Sequence, residues 1–315
     1  MRFTTPFTRL VGCDVPVQQA PIGFAAAVPD LPAAVAAAGG HGMLAAVAMP
    51  ASALAGAIDV LNSRTRCYGV NFIQPLADEE VVEIAAAKAP LVEFYFGPAD
   101  PALVERAKAG GALVSRQVVS ANEARAAVDA GCDLVVARGI EAGGRTTGGI
   151  GLLPLLDGVL DAVDVPVVAA GGIATHRAVA AALAAGASAV RVGTRFLAAR
   201  EAATHPVHLA AVLDAGYEDT VLTDAFSTDT FPVAHRVLRS CLRAAEEFTG
   251  DHVAEMSVGG VRTAVPRFSP HNPAADATGA VEAMALYAGQ GVGSVTRSES
   301  AAEIVADLVR GLGVD

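Results

Sequence analysis

Two arginines within a glycine-rich stretch form the part of the chain best suited to chemistry. Residues 139–149 contain five glycines in eleven positions, with Arg138 directly before them and Arg145 among them. They follow the apolar run 134–137, which has the composition of a buried strand. Glycines clustered after such a strand indicate a backbone that closely approaches a ligand. Arginine stays charged and donates several hydrogen bonds, so this pair favours an anionic substrate.

Two later loops predict a phosphate site. Gly171 and Gly172 follow the apolar run 167–170, and Gly193 and Thr194 follow the run 189–192. Each loop leads into a helical pattern, and backbone amides at the start of a helix bind phosphate. Barrels built of βα units often bind phosphate after their seventh and eighth strands. The alternative is that both loops are ordinary turns between a strand and a helix.

These loops belong to a repeating pattern of short apolar runs and longer alanine-rich helical stretches. The pattern predicts an α/β fold, a TIM (β/α)8 barrel. An open doubly wound sheet is the competing architecture, but eight strands and a late phosphate loop favour the barrel. The predicted strands are 17–20, 42–45, 68–72, 91–95, 112–115, 134–137, 167–170 and 189–192.

The pattern changes after the eighth strand. Residues 201–274 contain five of the seven histidines, and residues 231–248 have a helical pattern. We predict that 201–274 form a helical insertion or cap over the barrel mouth, while 1–200 and 275–315 form the barrel. One histidine of the cap can reach the site, although the sequence does not identify which; the five are His205, His208, His235, His252 and His271.

Composition and charge exclude several function classes. The net charge of -11 and the lack of a basic cluster argue against nucleic-acid binding. The four cysteines are far apart and the histidines have no metal-ligand spacing, so neither disulfides nor a metal site is expected. No apolar segment is long enough to span a membrane. We therefore expect a cytoplasmic protein with a small-molecule substrate, and a homodimer is one assembly that the sequence leaves open.

An ordered set of short motifs resembles the nitronate monooxygenase family, formerly called 2-nitropropane dioxygenase, which includes FMN-dependent enoyl-ACP reductases. The likeness runs from about residue 15 to 200 and resumes near 278. The motifs are Gln19-Ala20-Pro21, Ala38-Gly39-Gly40, Gly69-Val70-Asn71, Gly139-Ile140-Glu141-Ala142-Gly143-Gly144, Ala169-Ala170-Gly171-Gly172-Ile173, Gly193-Thr194-Arg195-Phe196 and Ala288-Gly289-Gln290-Gly291.

The resemblance implies a TIM barrel that binds FMN, and it assigns cofactor contacts to several loops. The isoalloxazine ring is expected along Ala20, Pro21, Ile22 and Gly23, and its polar atoms or the ribityl chain against Asn71 and Gln117. Gly144 is expected near the ribityl chain, with Glu141 and Gly143 in the same loop. The phosphate is expected at Gly171, Gly172, Gly193 and Thr194, with Gly289 and Gln290 closing over the cofactor.

Arg145 is the main departure from the family pattern. It stands where the family motif continues to a histidine that is regarded as the catalytic base or a substrate contact. Arginine does not give up its proton in proteins, but its guanidinium can bind a nitronate, carboxylate or thioester oxygen. The sequence alone therefore predicts oxidation of preformed nitronates and no oxidation of neutral nitroalkanes.

Three more residues are candidates for substrate binding. Arg138 replaces a glutamine that is common in the family, while Glu93 and Tyr95 share one face of the fourth strand. In the alternative interpretation Arg138 pairs with Glu141 or Glu93, and Arg145 points into solvent. Glu93 is equally compatible with proton transfer and with an ion pair to an arginine.

These observations favour an FMN-dependent oxidoreductase that oxidises a small nitronate-like or anionic substrate, with oxygen reoxidising the flavin. One alternative is an FMN-dependent enoyl-thioester reductase that takes electrons from NAD(P)H. Another, from a different class, is an isomerase or lyase barrel that binds a phosphate ligand without flavin.

Overall fold

The strands follow the predicted order closely. The computed structural model describes residues 3–25, 27–229 and 232–312. In chain order the strands are β1 (Val17–Gln19), β2 (Gly42–Ala45), β3 (Tyr68–Ile73), β4 (Leu91–Tyr95), β5 (Leu113–Val118), β6 (Leu134–Arg138), β7 (Gly144–Thr146), β8 (Val167–Ala170), β9 (Ala189–Val192), β10 (Thr220–Thr223), β11 (Ala234–Leu238), β12 (His252–Val258), β13 (Val261–Pro266) and β14 (Thr278–Gly279).

Eight of these strands form the barrel. They are all parallel and lie in the order β1-β9-β8-β6-β5-β4-β3-β2. A parallel bridge between Gln18 and His41 joins the two ends of the sheet. The predicted barrel is therefore confirmed. Strand β5 extends past its predicted end because Gln117 and Val118 continue the pairing with β6.

Helices surround the barrel and bury its outer face. Their apolar sides and the outward side chains of the strands form one large core that includes Leu31, Ile58 and Leu156. The helices are α1 (Pro6–Val11), α2 (Asp30–Ala37), α3 (Ala51–Arg64), α4 (Glu79–Lys88), α5 (Pro101–Ala109), α6 (Ala121–Asp129), α7 (Leu152–Leu160), α8 (His176–Ala184), α9 (Thr194–Leu197), α10 (Pro206–Asp214), α11 (Arg239–Glu247) and α12 (Ala301–Leu308).

The short helix α1 covers the amino-terminal end of the barrel. Its Phe7 is fully buried and packs with Met43, Leu91 and Leu134 from the barrel interior. His41 is buried beside Phe7, with Nδ1 3.1 Å from Gln18 Nε2, and burial lowers its pKa to about 3. This end of the barrel is packed for stability and lies opposite the glycine loops.

The insertion after β9 is a mixed α/β unit and not purely helical. It contains α10, α11 and two small antiparallel sheets, β10-β11-β7 and β13-β12-β14. The predicted helix over 231–248 is wrong in its first part: residues 234–238 form β11, and the helix begins at Arg239. Two partners explain this, because β11 pairs with β10 on one side and β7 on the other. Tertiary pairing has overridden local helical preference.

The cap and barrel share a second apolar core. It includes Leu197, Phe226 and Met256, together with Leu286 and Val292 from the returning segment. That segment contains two short 3-10 helices, Val281–Ala283 and Gln290–Ser294. Because β7 comes from the glycine-rich stretch, the cap is also hydrogen-bonded to the barrel loop that carries Arg145. Within the described ranges, no helix combines the length and apolar character needed to cross a membrane.

Candidate functional site

A cavity of about 820 Å³ lies between the carboxyl ends of the barrel strands and the cap. This is the usual position of the active site in a TIM barrel. Most of the predicted site residues line it, namely Ala20, Pro21, Ile22, Gly23, Asn71, Tyr95, Gln117, Arg138, Gly143, Gly144, Arg145, Gly171, Gly172, Gly193, Thr194 and Gly289. Three predicted residues, Glu93, Glu141 and Gln290, do not line it.

Glu93 lies below the cavity floor as the centre of a buried hydrogen-bond network. Its side chain is fully buried, and both carboxylate oxygens accept hydrogen bonds from the Arg191 guanidinium, at 2.8 Å for Nη1 to Oε1. Asn71 Nδ2 and Gln117 Nε2 each donate to Oε1 at 2.9 Å. The prediction that Glu93 contacts substrate is therefore wrong. Its partner is an arginine, as the alternative interpretation held, but that arginine is Arg191.

The network fixes the orientation of two amides at the cavity floor. An ionised carboxylate only accepts hydrogen bonds, so the NH₂ groups of Asn71 and Gln117 must point down to Glu93. Their carbonyl oxygens remain as acceptors in residues that line the cavity. Asn71 and Gln117 therefore offer acceptors to an N–H or O–H donor of a ligand.

The predicted phosphate loops meet at one side of the cavity. Gly171 and Gly172 have φ of +131° and +66°, which side chains other than hydrogen disfavour. Thr175 caps α8 by accepting from Ala178 N at 3.2 Å, and Thr194 Oγ1 accepts from Gly289 N at 2.9 Å. The loops after β8 and β9 and the returning segment thus form a wall of close-packed backbone with room for a ligand.

Glu141 and Gln290 support the loops without lining the cavity, and their contact with the cofactor stays a prediction. Both carboxylate oxygens of Glu141 accept from Leu152 N, at 2.9 and 3.0 Å, and so cap the first turn of α7. Gln290 N donates to Glu141 O at 2.9 Å, while the Gln290 residue is exposed. A carboxylate at a helix amino terminus is favourable by itself and needs no ligand.

Arg138 and Tyr95 form one wall with unused donors. Arg138 Nη2 donates to Gly143 O at 2.6 Å, and its guanidinium lies 5.5 Å from the centre of the Tyr95 ring. Arg138 Nη1 and Tyr95 Oη are buried and have no hydrogen-bond partner among the described residues. Arg138 is therefore not paired with Glu93 or Glu141. Unpaired buried donors are costly, so this wall is suited to an acceptor supplied by a ligand.

Arg145 is fixed within β7 and does not point freely into solvent. It is partly buried, lies opposite His235 in the pairing with β11, and its Nη2 donates to Pro270 O at 3.3 Å. His235 stacks on Tyr287 with ring centres 5.8 Å apart. Burial and the charge of Arg145 lower the His235 pKa to about 4.

The segment Pro266 to Asn272 also lines the cavity, and the sequence analysis did not assign it to the site. His271 is the cap histidine that reaches the cavity, with Nδ1 2.7 Å from Ser269 Oγ. Burial and then the charge of Arg145 lower its pKa. The only sequence signal was a run of Ser, Pro, His and Asn typical of an ordered loop. Tyr287, just before the Ala288-Gly289 motif, was missed as well.

Known proteins resemble this chain over most of its length. Residues 66–311 match the family model described as nitronate monooxygenase. A (3aS,4S,5R,7aS)-5-hydroxy-7a-methyl-1-oxo-octahydro-1H-indene-4-carboxyl-CoA dehydrogenase of Mycobacterium tuberculosis is 37% identical over 76% of this chain and 67% of its own length. A probable nitronate monooxygenase of Bacillus subtilis is 32% identical over 67% of this chain and 60% of its own length.

Two solved structures have the same fold over nearly the whole chain. A nitroalkane oxidase from Streptomyces ansochromogenes superposes with a TM-score of 0.80 at 32% identity, covering 96% of each chain. FabK from Thermotoga maritima superposes with a TM-score of 0.79 at 29% identity, covering 98% of this chain and 96% of its own.

Proposed function

This chain belongs to the nitronate monooxygenase family of FMN-dependent oxidoreductases, and we propose that it binds FMN and oxidises a small anionic substrate of the nitronate type, with oxygen accepting the electrons. Membership of the family supports the class of reaction.

The charge of the cavity is the observation that carries the proposal. Its lining includes Arg138, Arg145 and Arg267, together with Arg191, whose charge is paired with Glu93, and within the described residues no aspartate or glutamate lines it. The chain as a whole carries a net charge of -11. A positive cavity in an acidic protein favours anionic ligands through the local field. A flavin phosphate and a nitronate are both anions.

The residues present fit FMN. The glycines at 171, 172 and 193 leave the backbone open to a phosphate beside the first turn of α9. Asn71 and Gln117 offer amide oxygens to the N–H of a flavin ring, and Ala20 to Gly23 form an adjacent wall. When bound, FMN would supply the two-electron redox centre that the side chains of the cavity lack.

Arg138 and Tyr95 are suited to holding the substrate. Arg138 Nη1 and Tyr95 Oη are donors without partners, and a nitronate has two oxygens that accept hydrogen bonds. Charge-assisted hydrogen bonds at a buried site stabilise both the anion and any charge that develops on those oxygens. In this proposal Arg138 and Tyr95 bind and orient the substrate.

Dehydrogenation of an acyl thioester is the second candidate. The relative from Mycobacterium tuberculosis and a homologue from Rhodococcus jostii, which is 36% identical over 78% of this chain, are both named as carboxyl-CoA dehydrogenases. A nitroalkane and an acyl thioester share an acidic C–H beside a group that becomes an oxyanion. The donors of Arg138 and Tyr95 suit either substrate.

Anaerobic reduction distinguishes these functions. The purified protein should be yellow and contain about one FMN per chain, as expected for a single-site flavoprotein. We expect ethylnitronate to bleach the flavin without oxygen, and air to restore the colour. Bleaching by an acyl-CoA alone would support the dehydrogenase, and bleaching by NADH or NADPH alone would support the reductase. A colourless protein that takes up no added FMN would overturn the flavin proposal.

A further inference from the structure

We propose that His271, supplied by the cap, is the base that removes a proton from the substrate carbon, with Arg145 as its positioning residue. This inference rests on the proposed function: a neutral nitroalkane or acyl thioester would lose its proton in the same cavity and give the anion that is oxidised, whereas a preformed nitronate needs no base. It assigns proton transfer to a different element from the family motif, in which the histidine occupies the position of Arg145.

The lining of the cavity leaves one suitable base. Apart from its arginines, the titratable side chains that line it in the described ranges are Tyr95, Tyr287 and His271. Arginine stays protonated, and burial raises the pKa of Tyr287 to about 12. Tyrosine is protonated near neutral pH. His271 is therefore the group there that can accept a proton near pH 7.

The hydrogen bonds of His271 are compatible with a free acceptor nitrogen at Nε2. Nδ1 lies 2.7 Å from Ser269 Oγ, and Nε2 has no hydrogen bond to any described residue. When Nδ1 carries the proton and donates it to the serine hydroxyl, Nε2 keeps its lone pair. The ring is partly buried and lines the cavity, so Nε2 is available to a substrate.

Residues from three other parts of the chain hold the loop that carries His271. Pro270 O accepts hydrogen bonds from Arg145 in β7 and from Tyr287 in the returning segment. On the other side, Asn272 Nδ2 donates to Gly23 O in the loop after β1. The backbone is thus bound on both sides of His271, as expected for a group that must keep a fixed position.

The surrounding charge is consistent with a neutral imidazole. Burial and the nearby Arg145 guanidinium both disfavour the imidazolium and lower the His271 pKa. The other charged side chains lining the cavity are also cationic: Arg138 and Arg267, and Arg191, whose charge is paired with Glu93. In the proposed step the substrate C–H bond breaks, its proton goes to Nε2, and the electron pair moves into the nitro or carbonyl group as an oxyanion.

Proton exchange tests this step without requiring oxidation. The rate at which nitroethane loses its α-protons to D2O is followed by NMR, anaerobically, with the FMN-loaded protein. We expect His271→Gln to lower the catalysed rate by about 100-fold or more, because general bases contribute at least that much. His252→Gln replaces an exposed cap histidine outside the cavity and should leave the rate unchanged. FMN content and thermal stability identify a misfolded variant.

Oxidation of two substrates separates the two proposals. If the wild type oxidises ethylnitronate but neither exchanges nor oxidises nitroethane, the base is absent and the proposed function stands. If His271-dependent exchange occurs without oxidation of either compound, the base stands and the proposed function fails. Equal exchange by His271→Gln and wild type would overturn the role of His271 even if both proteins oxidise nitroethane. If the wild type neither exchanges the protons of nitroethane nor oxidises either compound, both proposals fail.

Arg145→Met provides an independent variant. Loss of its positive charge should raise the His271 pKa. The exchange rate, which rises with pH as His271 loses its proton, should therefore rise at a higher pH than in the wild type. Loss of its bond to Pro270 O should also lower the limiting rate. An unchanged pH profile and rate would contradict the positioning role.

Discussion

Arg191 and Glu93 form an ion pair across the interior of the barrel, at the floor of the cavity that Arg191 lines. Both side chains are at most 4% exposed, and Arg191 Nη1 lies 2.8 Å from Glu93 Oε1. The same carboxylate orients the amides of Asn71 and Gln117. The packing of the barrel interior and the orientation of the two amides at the cavity floor therefore both depend on the buried carboxylate of Glu93.

Replacing Glu93 should damage stability and cofactor binding together. Glu93→Gln leaves the Arg191 charge buried without its counterion, and breaking a buried pair typically costs about 3–5 kcal/mol. We expect a loss of this order in the free energy of unfolding, measured by denaturant titration. FMN content should also fall because glutamine has one acceptor oxygen where the carboxylate has two, so Asn71, Gln117 and Arg191 must share it.

Two comparison variants separate these effects. Glu83→Gln removes an exposed carboxylate 3.9 Å from Arg106, and exposed pairs contribute roughly 0–1 kcal/mol. Gln117→Leu removes one amide acceptor from the cavity while keeping the ion pair, so it should weaken FMN binding more than it lowers stability. Normal FMN affinity in Gln117→Leu would contradict the assigned role of that amide.

The barrel could be predicted from sequence because its signals are local. Strands covered on both faces are continuous apolar runs, and glycine loops mark the carboxyl ends of β6, β8 and β9. Most glycines and apolar residues predicted for the site line the cavity for that reason. A glycine loop can be recognised locally because the residues that adopt the required backbone conformation are the glycines themselves.

The polar contacts were harder to predict because they depend on long-range partners. Glu93 and Arg191 are far apart in sequence, and only the closed barrel brings them together. Likewise β11 is a strand because β7 and β10 pair with it, and His271 reaches the cavity because Arg145 and Tyr287 hold Pro270 O. The sequence therefore shows the departure at Arg145 and predicts that one of five cap histidines reaches the site, but it does not identify His271.

Arg138 should determine affinity for an anionic substrate. Arg138→Met removes the buried Nη1 donor, and hydrogen bonds to charged groups contribute about 1.5–3 kcal/mol, so KM for ethylnitronate should rise by roughly 10- to 100-fold. Arg138→Lys keeps the charge without the planar fork and should recover part of the loss. Arg243→Met, an exposed change on α11, is the control. Steady-state kinetics with an unchanged KM in Arg138→Met would exclude this arginine from the substrate site.

Gly171 should be required for FMN binding. At φ of +131° an added side chain is strained, and its Cβ would lie 3.3 Å from Gly139 O. Backbone strain of this kind costs about 1–3 kcal/mol, and its relief should move the loop out of the conformation that binds FMN, so Gly171→Ala should raise the Kd for FMN by roughly 5- to 150-fold. Gly149→Ala changes a glycine of the 139–149 stretch with open space around its Cβ and should bind FMN normally. Fluorescence titration measures both, and equal affinities would contradict the phosphate-site assignment.

His208 should lower the free energy of unfolding as the pH becomes acidic. It is buried, its Nε2 lies 3.1 Å from Tyr287 O, and burial lowers its pKa from 6.5 to about 4. The folded state thus binds a proton at His208 less readily than the unfolded state. The stabilisation of the folded state by neutral His208 is therefore present above pH 6.5 and is lost as the pH falls from 6.5 toward 4. The loss amounts to roughly 3 kcal/mol. The difference between the unfolding free energies at pH 8 and pH 4.5 should be smaller in His208→Gln than in the wild type, whereas exposed His252→Gln should follow the wild type. The same pH dependence in His208→Gln and wild type would show that protonation of His208 is not linked to folding.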